Sequence, residues 1–293
     1  MRAHEFSWLA FLLLAFAAAP AGCANNAKDV PPASTAPTST AMAAPGTAST
    51  AAPTATAKPG EAAGGGAAVP AGARMTDRFP TSQGELVVTP IMHGTVLLEH
   101  GGKQIYVDPW SQGKYDGLPQ ADFIFVTDIH QDHLDTAAID KVKKDGTVIV
   151  GPPAVAEKLP GIVALKNGES KDFGGFSALA VPMYNKKRGP SEGKLFHDKG
   201  RGNGYVLTFG GKRVYLSGDT ECTDEMKALK DIDVAFVCMN LPYTMPPAEA
   251  AECIKAFRPK VILPYHYRGS NLDELTSALE GEKGIEVRKR AWY

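Results

Sequence analysis

The chain has 293 residues, 44% of them hydrophobic, and 31 Lys and Arg against 32 Asp and Glu give a formal net charge of −1. That balance exerts no general pull toward nucleic acid or an acidic membrane surface. A nucleic-acid-processing role would also call for a basic stripe with stacking aromatics, which the sequence does not show.

The first 22 residues read as a targeting segment. Arg2 precedes an apolar run, WLAFLLLAFAAA (Trp8 to Ala19), of signal-peptide length and short for a bilayer span. The run leads into PAGC, with Cys23 after two small residues. This resembles a bacterial lipoprotein signal, which implies a lipidated Cys23 and an extracytoplasmic, membrane-anchored protein. Pro20 departs from that pattern, and an ordinary secretory signal cleaved nearby is the alternative. Residues 23–73 are rich in Ala, Thr, Pro, Ser and Gly. They carry too little apolar surface to offset the entropy of ordering, and read as a disordered tether. Residues 74–293 remain as one domain with a sizeable core. Its three cysteines, Cys222, Cys238 and Cys253, are odd in number and show no paired spacing, which argues against a disulfide framework. Cys238 and Cys253 are expected to be small buried residues.

In chain order, a strand starts at Gly84 and a hairpin, TVLLEHGGKQIYVDPW, turns at Gly101-Gly102. ADFIFVTD is a strand, LDTAAIDKVKKDG a helix closed by Gly146, TVIVGP a strand and AVAEKLP a short helix. The pattern is β again from Ile162 to Tyr184, and a Gly-rich basic loop follows from Asn185 to Gly204. A second hairpin turns at Gly210-Gly211. Helices CTDEMKALKD, PPAEAAECIKAFRP and NLDELTSALEG then alternate with strands VAFVCMN, KVILPYHY and IEVRKRAWY. Two halves, each opening in hairpins and ending in alternation, predict an αββα sandwich of two mixed sheets with helices outside.

Histidine and aspartate gather where the apolar runs end. VDP gives Asp108, VTDIHQDH gives Asp128, His130, Asp132 and His133, LSGDT gives Asp219, and LPYHY gives His266. Any one of these has an ordinary explanation, such as a hydrogen-bonded surface histidine or a helix cap, and Asp135 in HLDTAA reads as such a cap. Strand ends in a layered α/β protein can converge on one edge, where loops build sites.

The ordered set MHGTVLLEHGGKQIYVDPW, TDIHQDHLD, VPMYN, YLSGDTE, PYTMPPAEAAE and ILPYHY resembles the metallo-β-lactamase superfamily. The narrower likeness is to its L-ascorbate-6-phosphate lactonase-like and N-acylphosphatidylethanolamine phospholipase D-like hydrolases. The resemblance implies one or two divalent metal ions, zinc or manganese, at the edge between the sheets. Asp128 and His130 would hold one metal. Asp132, His133 and His266 would hold the other, with Asp219 bridging. Asp108 would steady the ligand loop, and His93 would lie nearby without ligating.

The chain departs from the pattern twice. Asp128 stands where the HxHxDH motif has its first histidine, and Asn185 stands where many relatives carry a further ligand. His197, twelve residues on, is the alternative donor. A carboxylate at 128 adds a negative charge, so two divalent ions, three aspartates and a hydroxide sum to zero. That should acidify bound water less than a histidine-rich site does, and favour harder ions such as Mn²⁺ or Fe²⁺, with Zn²⁺ also compatible.

The implied activity is hydrolysis of an ester, lactone or phosphoester by a metal-bound hydroxide, with Asp132 or Asp219 orienting or receiving the proton. No G-x-S-x-G nucleophile elbow occurs in the domain. Lys186, Lys187, Arg188, Lys194, Lys199 and Arg201 bias the 185–204 loop positive. They suggest a small anionic substrate, or else an ordinary solvated loop. Tyr184, Tyr243, Tyr265 and Tyr267 are expected either to line the pocket or to pack in the core. Cys222, close to Asp219, faces the site or simply packs. The alternative to an enzyme is a metal- or ligand-binding lipoprotein with a degenerate first metal site.

Overall fold

A computed structural model describes residues 74–293. The targeting segment, Cys23 and the tether lie outside the described residues. The first sheet is built from β1 (Asp77–Thr81), β2 (Gly84–Met92), β3 (Thr95–His100), β4 (Lys103–Val107), β5 (Ala121–Phe125), β6 (Lys143–Gly151) and β7 (Val163–Ala164), in that spatial order. Pairing is antiparallel from β1 to β4 and parallel from β4 to β7. The second sheet repeats the plan. It contains β8 (Ser170–Asp172), β9 (Ser177–Met183), β10 (Gly202–Phe209), β11 (Lys212–Leu216), β12 (Val234–Cys238), β13 (Val261–Tyr265) and β14 (Glu286–Val287). Its pairing is antiparallel up to β11 and parallel afterwards.

Strand periodicity divides the side chains between layers. Val96, Leu98, Ile105, Val107, Phe123 and Phe125 face the second sheet and join Tyr205, Leu207, Val214 and Leu216 in one core. Leu97, Tyr106 and Ile124, at the alternate positions, face outward. There they are covered by Ile139 and Val142 of α1 (Thr136–Val142) and Val155 of α2 (Pro153–Lys158). On the second sheet, Phe257 of α4 (Pro247–Phe257) packs edge-on against Tyr215, with 5.9 Å between ring centroids. The expected sandwich of two mixed sheets is the observed architecture, with short helices.

Several boundaries differ from the sequence expectation. The α1 helix stops at Val142 rather than Gly146, because Lys143 already pairs with Ala121 and the Thr147 hydroxyl donates to the Ala121 carbonyl at 2.6 Å. The strand β1 was not anticipated; it carries Pro80, which an edge strand tolerates. The helix α3 shrinks to Asp224–Lys227. The last strand is only Glu286–Val287, because the chain then leaves the sheet. Arg288 and Arg290 reach across to the buried Asp77 of β1, with closest contacts of 3.0 and 2.6 Å, and Trp292 is buried beside Phe236 and Tyr265. The cysteine expectation is corrected. Cys222 and Cys253 form a disulfide across 31 residues, with Cα atoms 5.5 Å apart, and Cys238 is free and buried in β12. The disulfide ties the segment after β11 to α4, so Cys222 does not serve the site.

Candidate metal centre

The site lies where β4, β5, β11 and β13 end. Backbone bonds fix their loops to one another: Asp108 N donates to the Phe125 carbonyl (2.9 Å), Asn203 N to that of Thr127 (2.9 Å), and His266 N to that of His93 (3.0 Å). Three of the loop residues, His93, Asp108 and His266, hold positive φ angles of 54, 45 and 46°. Non-glycine residues adopt that region at a cost, and such strain gathers at functional sites.

His133 is buried, and its Nδ1 lies 2.8 Å from Asp108 Oδ2. Asp108 also accepts from Thr127 N (2.8 Å) and from the Thr127 hydroxyl (2.6 Å), so the loop is tied to β5 as the ring is oriented. The opposite nitrogen of His133, Nε2, points at Asp219 Oδ2 (3.4 Å) and Asp132 Oδ2 (3.8 Å). His266 Nε2 lies 3.3 Å from Asp132 Oδ2 and 3.3 Å from Asp219 Oδ1. These four residues form one group. In the other, Asp128 Oδ2 lies 3.0 Å from His130 Nδ1 and 3.9 Å from His197 Nε2, and that same His197 atom is 3.5 Å from Asp219 Oδ2. Asp219 therefore stands between the two groups: its Oδ2 faces both His133 and His197, and its Oδ1 faces His266.

Asn185 does not present a free oxygen. Its Oδ1 sits 2.5 Å from His197 Nδ1, and its amide nitrogen donates to the Tyr243 carbonyl at 2.8 Å. The geometry thus turns His197, not Asn185, into the cluster. The His93 ring lies against that of His266, tilted by 33° with centroids 3.6 Å apart, and its Nε2 is 3.2 Å from Asp132 Oδ2.

The donor set fits divalent cations. His133 Nε2, His197 Nε2 and Asp219 Oδ1 are buried without a hydrogen-bond partner among the described residues, although they converge. Buried polar atoms left unpaired are costly. Separations of 3.0–3.9 Å suit neighbouring nitrogen and oxygen ligands about 2.0–2.2 Å from a shared ion. Charge points the same way. Burial alone would raise the carboxyl pKa of Asp219, but His266 and His133 outweigh it and hold Asp219 well below the usual carboxylate range. Burial would lower that of His133, but Asp132, Asp219 and Asp108 raise it well above an ordinary histidine. Such a pocket stabilises positive charge. His93 is instead pushed down to about 4, chiefly by burial, and is neutral at neutral pH.

The basic loop corrects the sequence picture. Lys186 pairs with Asp224 (3.5 Å), Lys187 with Glu249 (3.4 Å), Arg188 with Glu249 (2.8 Å) and Glu221 (3.0 Å), and Lys199 with Glu225 (2.6 Å). Arg201 forks onto Asp128. Five of the loop's six cations thus have acids, Lys194 having none among the described residues, so most of the positive bias of the loop is neutralised within the fold. Of the four tyrosines, Tyr243 lines the cavity, Tyr265 is in the core, Tyr184 bonds Glu225 and Tyr267 bonds the Arg290 carbonyl.

A cavity of about 690 Å³ opens over the cluster. Its walls add Trp110, Phe196, Leu241, Pro242, Tyr243 and Arg268 to the histidines and aspartates. Arg268 lies over the rings of Trp110 (5.7 Å) and Tyr293 (5.2 Å) and has no acidic partner among the described residues. Sequence reasoning named Arg201 only as a loop cation and missed its pairing with Asp128, and it missed Arg268, Trp110 and Tyr293. Trp110 and Arg268 each stand two residues beyond a site residue, Asp108 and His266, which was the available signal.

Comparison with known proteins agrees with this arrangement. A family model described as a beta-lactamase superfamily domain matches residues 88–266. A UPF0173 metal-dependent hydrolase of Thermococcus onnurineus is 31% identical over 182 residues, covering 57% of this chain and 78% of the relative. A crystal structure from Parabacteroides distasonis, named as a metal-dependent hydrolase, is 42% identical with a TM-score of 0.71, covering 74% of this chain and 99% of that one. The metallo hydrolase Igni18 of Ignicoccus hospitalis shares the fold at 23% identity and a TM-score of 0.59, covering 70% and 94% of the two chains.

Proposed function

The chain belongs to the metallo-β-lactamase superfamily, within it to the UPF0173 metal-dependent hydrolases, and from that premise we propose what it hydrolyses and how. It is a metal-dependent hydrolase, which leaves the non-catalytic alternative without support. The proposed substrate is a small molecule with an ester, lactone or phosphoester bond, an apolar or aromatic body and an anionic group. The observation that carries this is Arg268, a guanidinium over Trp110 with no acidic partner among the described residues, in a cavity also lined by Phe196, Leu241 and Tyr243. An anion held there would place the body of the molecule along those apolar side chains and its scissile bond over the cluster.

Asp128, His130 and His197 are proposed as one metal subsite, and Asp132, His133 and His266 as the other, with Asp219 shared. When bound, a divalent ion such as zinc or manganese supplies Lewis acidity and a water acidic enough to act as nucleophile near neutral pH. The chain's own groups orient the reaction. The side chain of Asp132 is 30% exposed toward the cavity, whereas that of Asp219 is 5% exposed. Asp132 is therefore the carboxylate that faces the reacting side and can orient a water there, while Asp219 spaces the two histidine sets. Neutral His93 hydrogen-bonds Asp132 Oδ2 and holds it in place.

The proposal includes an extracytoplasmic, lipid-anchored location through Cys23. The Cys222–Cys253 disulfide supports it, since disulfides persist in oxidising compartments.

The test is a panel of lactones, phosphodiesters and aryl esters, each with and without an acidic substituent, assayed with Zn²⁺ and with Mn²⁺. The first two classes head the panel because the sequence motifs resemble those of lactonase-like and phospholipase D-like hydrolases. Anionic members should be preferred, and Arg268→Gln should lower kcat/KM for them about 10- to 100-fold while sparing neutral analogues. Equal losses on both kinds would refute the anionic assignment.

A further inference from the structure

Asp128 is fully buried, yet it is not a bare carboxylate. Arg201, from the turn before β10, meets it through two parallel bonds: Nε donates to Oδ1 at 3.0 Å and Nη2 to Oδ2 at 2.8 Å. This fork needs a planar guanidinium, and a lysine could not reproduce it. The same Oδ2 still faces His130 Nδ1 at 3.0 Å and His197 Nε2 at 3.9 Å, so its remaining lone pair points among the ligands of the first subsite. Every other ion-paired cation of the loop sits on an acid outside the site, in the 221–225 segment or on α4; Arg201 alone is committed to a candidate ligand.

We propose that Asp128 and Arg201 act together as one neutral ligand unit, standing where the HxHxDH pattern has a neutral histidine. Arg201 acts through Asp128 in this unit: it cancels the charge that aspartate adds. The three aspartates of the cluster then leave the same formal charge as a cluster with histidine at 128. The expectation from sequence alone, a more neutral cluster with a less acidic water, is reversed.

The inference rests on the two-subsite reading above. It is tested on the full chain by metal content after dialysis and by Zn²⁺ competition against a fluorescent chelator, readouts independent of turnover. The wild-type protein should hold two ions. Arg201→Met leaves the Asp128 charge uncancelled and should tighten the weaker-held ion by about tenfold or more. Asp128→His leaves the Arg201 charge facing the ligands and should lose one ion. The double variant Asp128→His/Arg201→Met removes both charges and should hold two ions again. It orphans no buried charge, so it keeps the test valid if Arg201→Met fails to fold. A double variant that retains no more metal than Asp128→His sinks the inference, as does an Arg201→Met protein that loses an ion. A wild-type protein with fewer than two ions sinks the two-subsite reading, and this inference with it.

Discussion

His197 points Nε2 into the metal-ligand cluster because Asn185 engages its other nitrogen, with Oδ1 and Nδ1 2.5 Å apart. The backbone repeats the link, as Asn185 N donates to the His197 carbonyl at 2.8 Å. A histidine ligand's orientation is set by the partner of its free nitrogen, and removing that partner typically costs 10- to 100-fold in metal affinity. Asn185→Leu is therefore expected to weaken one of the two ions by about that factor, while Asn185→Asp, which keeps the acceptor, retains most of the affinity. Chelator competition on the two variants measures this. Equal metal binding by Asn185→Leu and the wild type would remove Asn185 from the account.

Gly218, the residue before Asp219, holds φ at +60°. A Cβ there would collide with Met183 Sδ, the atom that accepts from Asp219 N at 3.1 Å. Gly218→Ala thus combines left-handed strain with a displaced neighbour, and should destabilise the domain by about 1–3 kcal/mol. The displaced Met183 would shift Asp219 as well, so metal retention should fall together with the melting temperature. An unchanged melting curve would contradict the argument.

The strand-end residues were legible because β periodicity is short-range: an apolar run that ends on Asp or His marks a loop at a sheet edge, and Asp108, Asp128, Asp219 and His266 all do so. The meaning of the 185–204 cations was not legible. Their acids lie at Glu221, Asp224, Glu225 and Glu249, and only the packing of β9, β10, α3 and α4 reveals them as partners. Arg201 is the sharpest case, since its acid is 73 residues earlier, on the other sheet's loop. The cysteine count misled for a similar reason. An odd total is compatible with one bridge when the third thiol, Cys238, is enclosed in a central strand.

The Cys222–Cys253 bridge closes a loop of 31 residues. Chain-entropy reasoning gives about 3–4 kcal/mol of stabilisation for such a loop. Replacing both residues by serine should lower the melting temperature accordingly. Alkylation of the denatured, unreduced protein, mapped by mass spectrometry, should mark Cys238 and neither Cys222 nor Cys253. Labelling of all three would show that the bridge does not form.

The Tyr293 hydroxyl joins three parts of the site. It accepts from the backbone nitrogens of Tyr267 (3.2 Å) and Arg268 (3.0 Å), and lies 2.6 Å from His93 Nδ1. With two N–H groups already donating to the oxygen, its own proton goes to His93 Nδ1. The Tyr293 pKa is pushed up to about 12, first by burial, so the hydroxyl keeps that proton at neutral pH. His93 is neutral, and its remaining proton therefore resides on Nε2, directed at Asp132 Oδ2 at 3.2 Å. One hydroxyl thus fixes the tautomer that orients Asp132 and the loop that carries Arg268. Tyr293→Phe should cost about 1–2 kcal/mol of stability for the lost hydrogen bonds. It should lower kcat about tenfold on neutral and anionic substrates alike through Asp132, and raise KM on anionic substrates alone through Arg268. Steady-state kinetics on a matched pair of substrates separates the two effects. A variant with wild-type kcat on both would show that the His93 tautomer does not matter to the reaction.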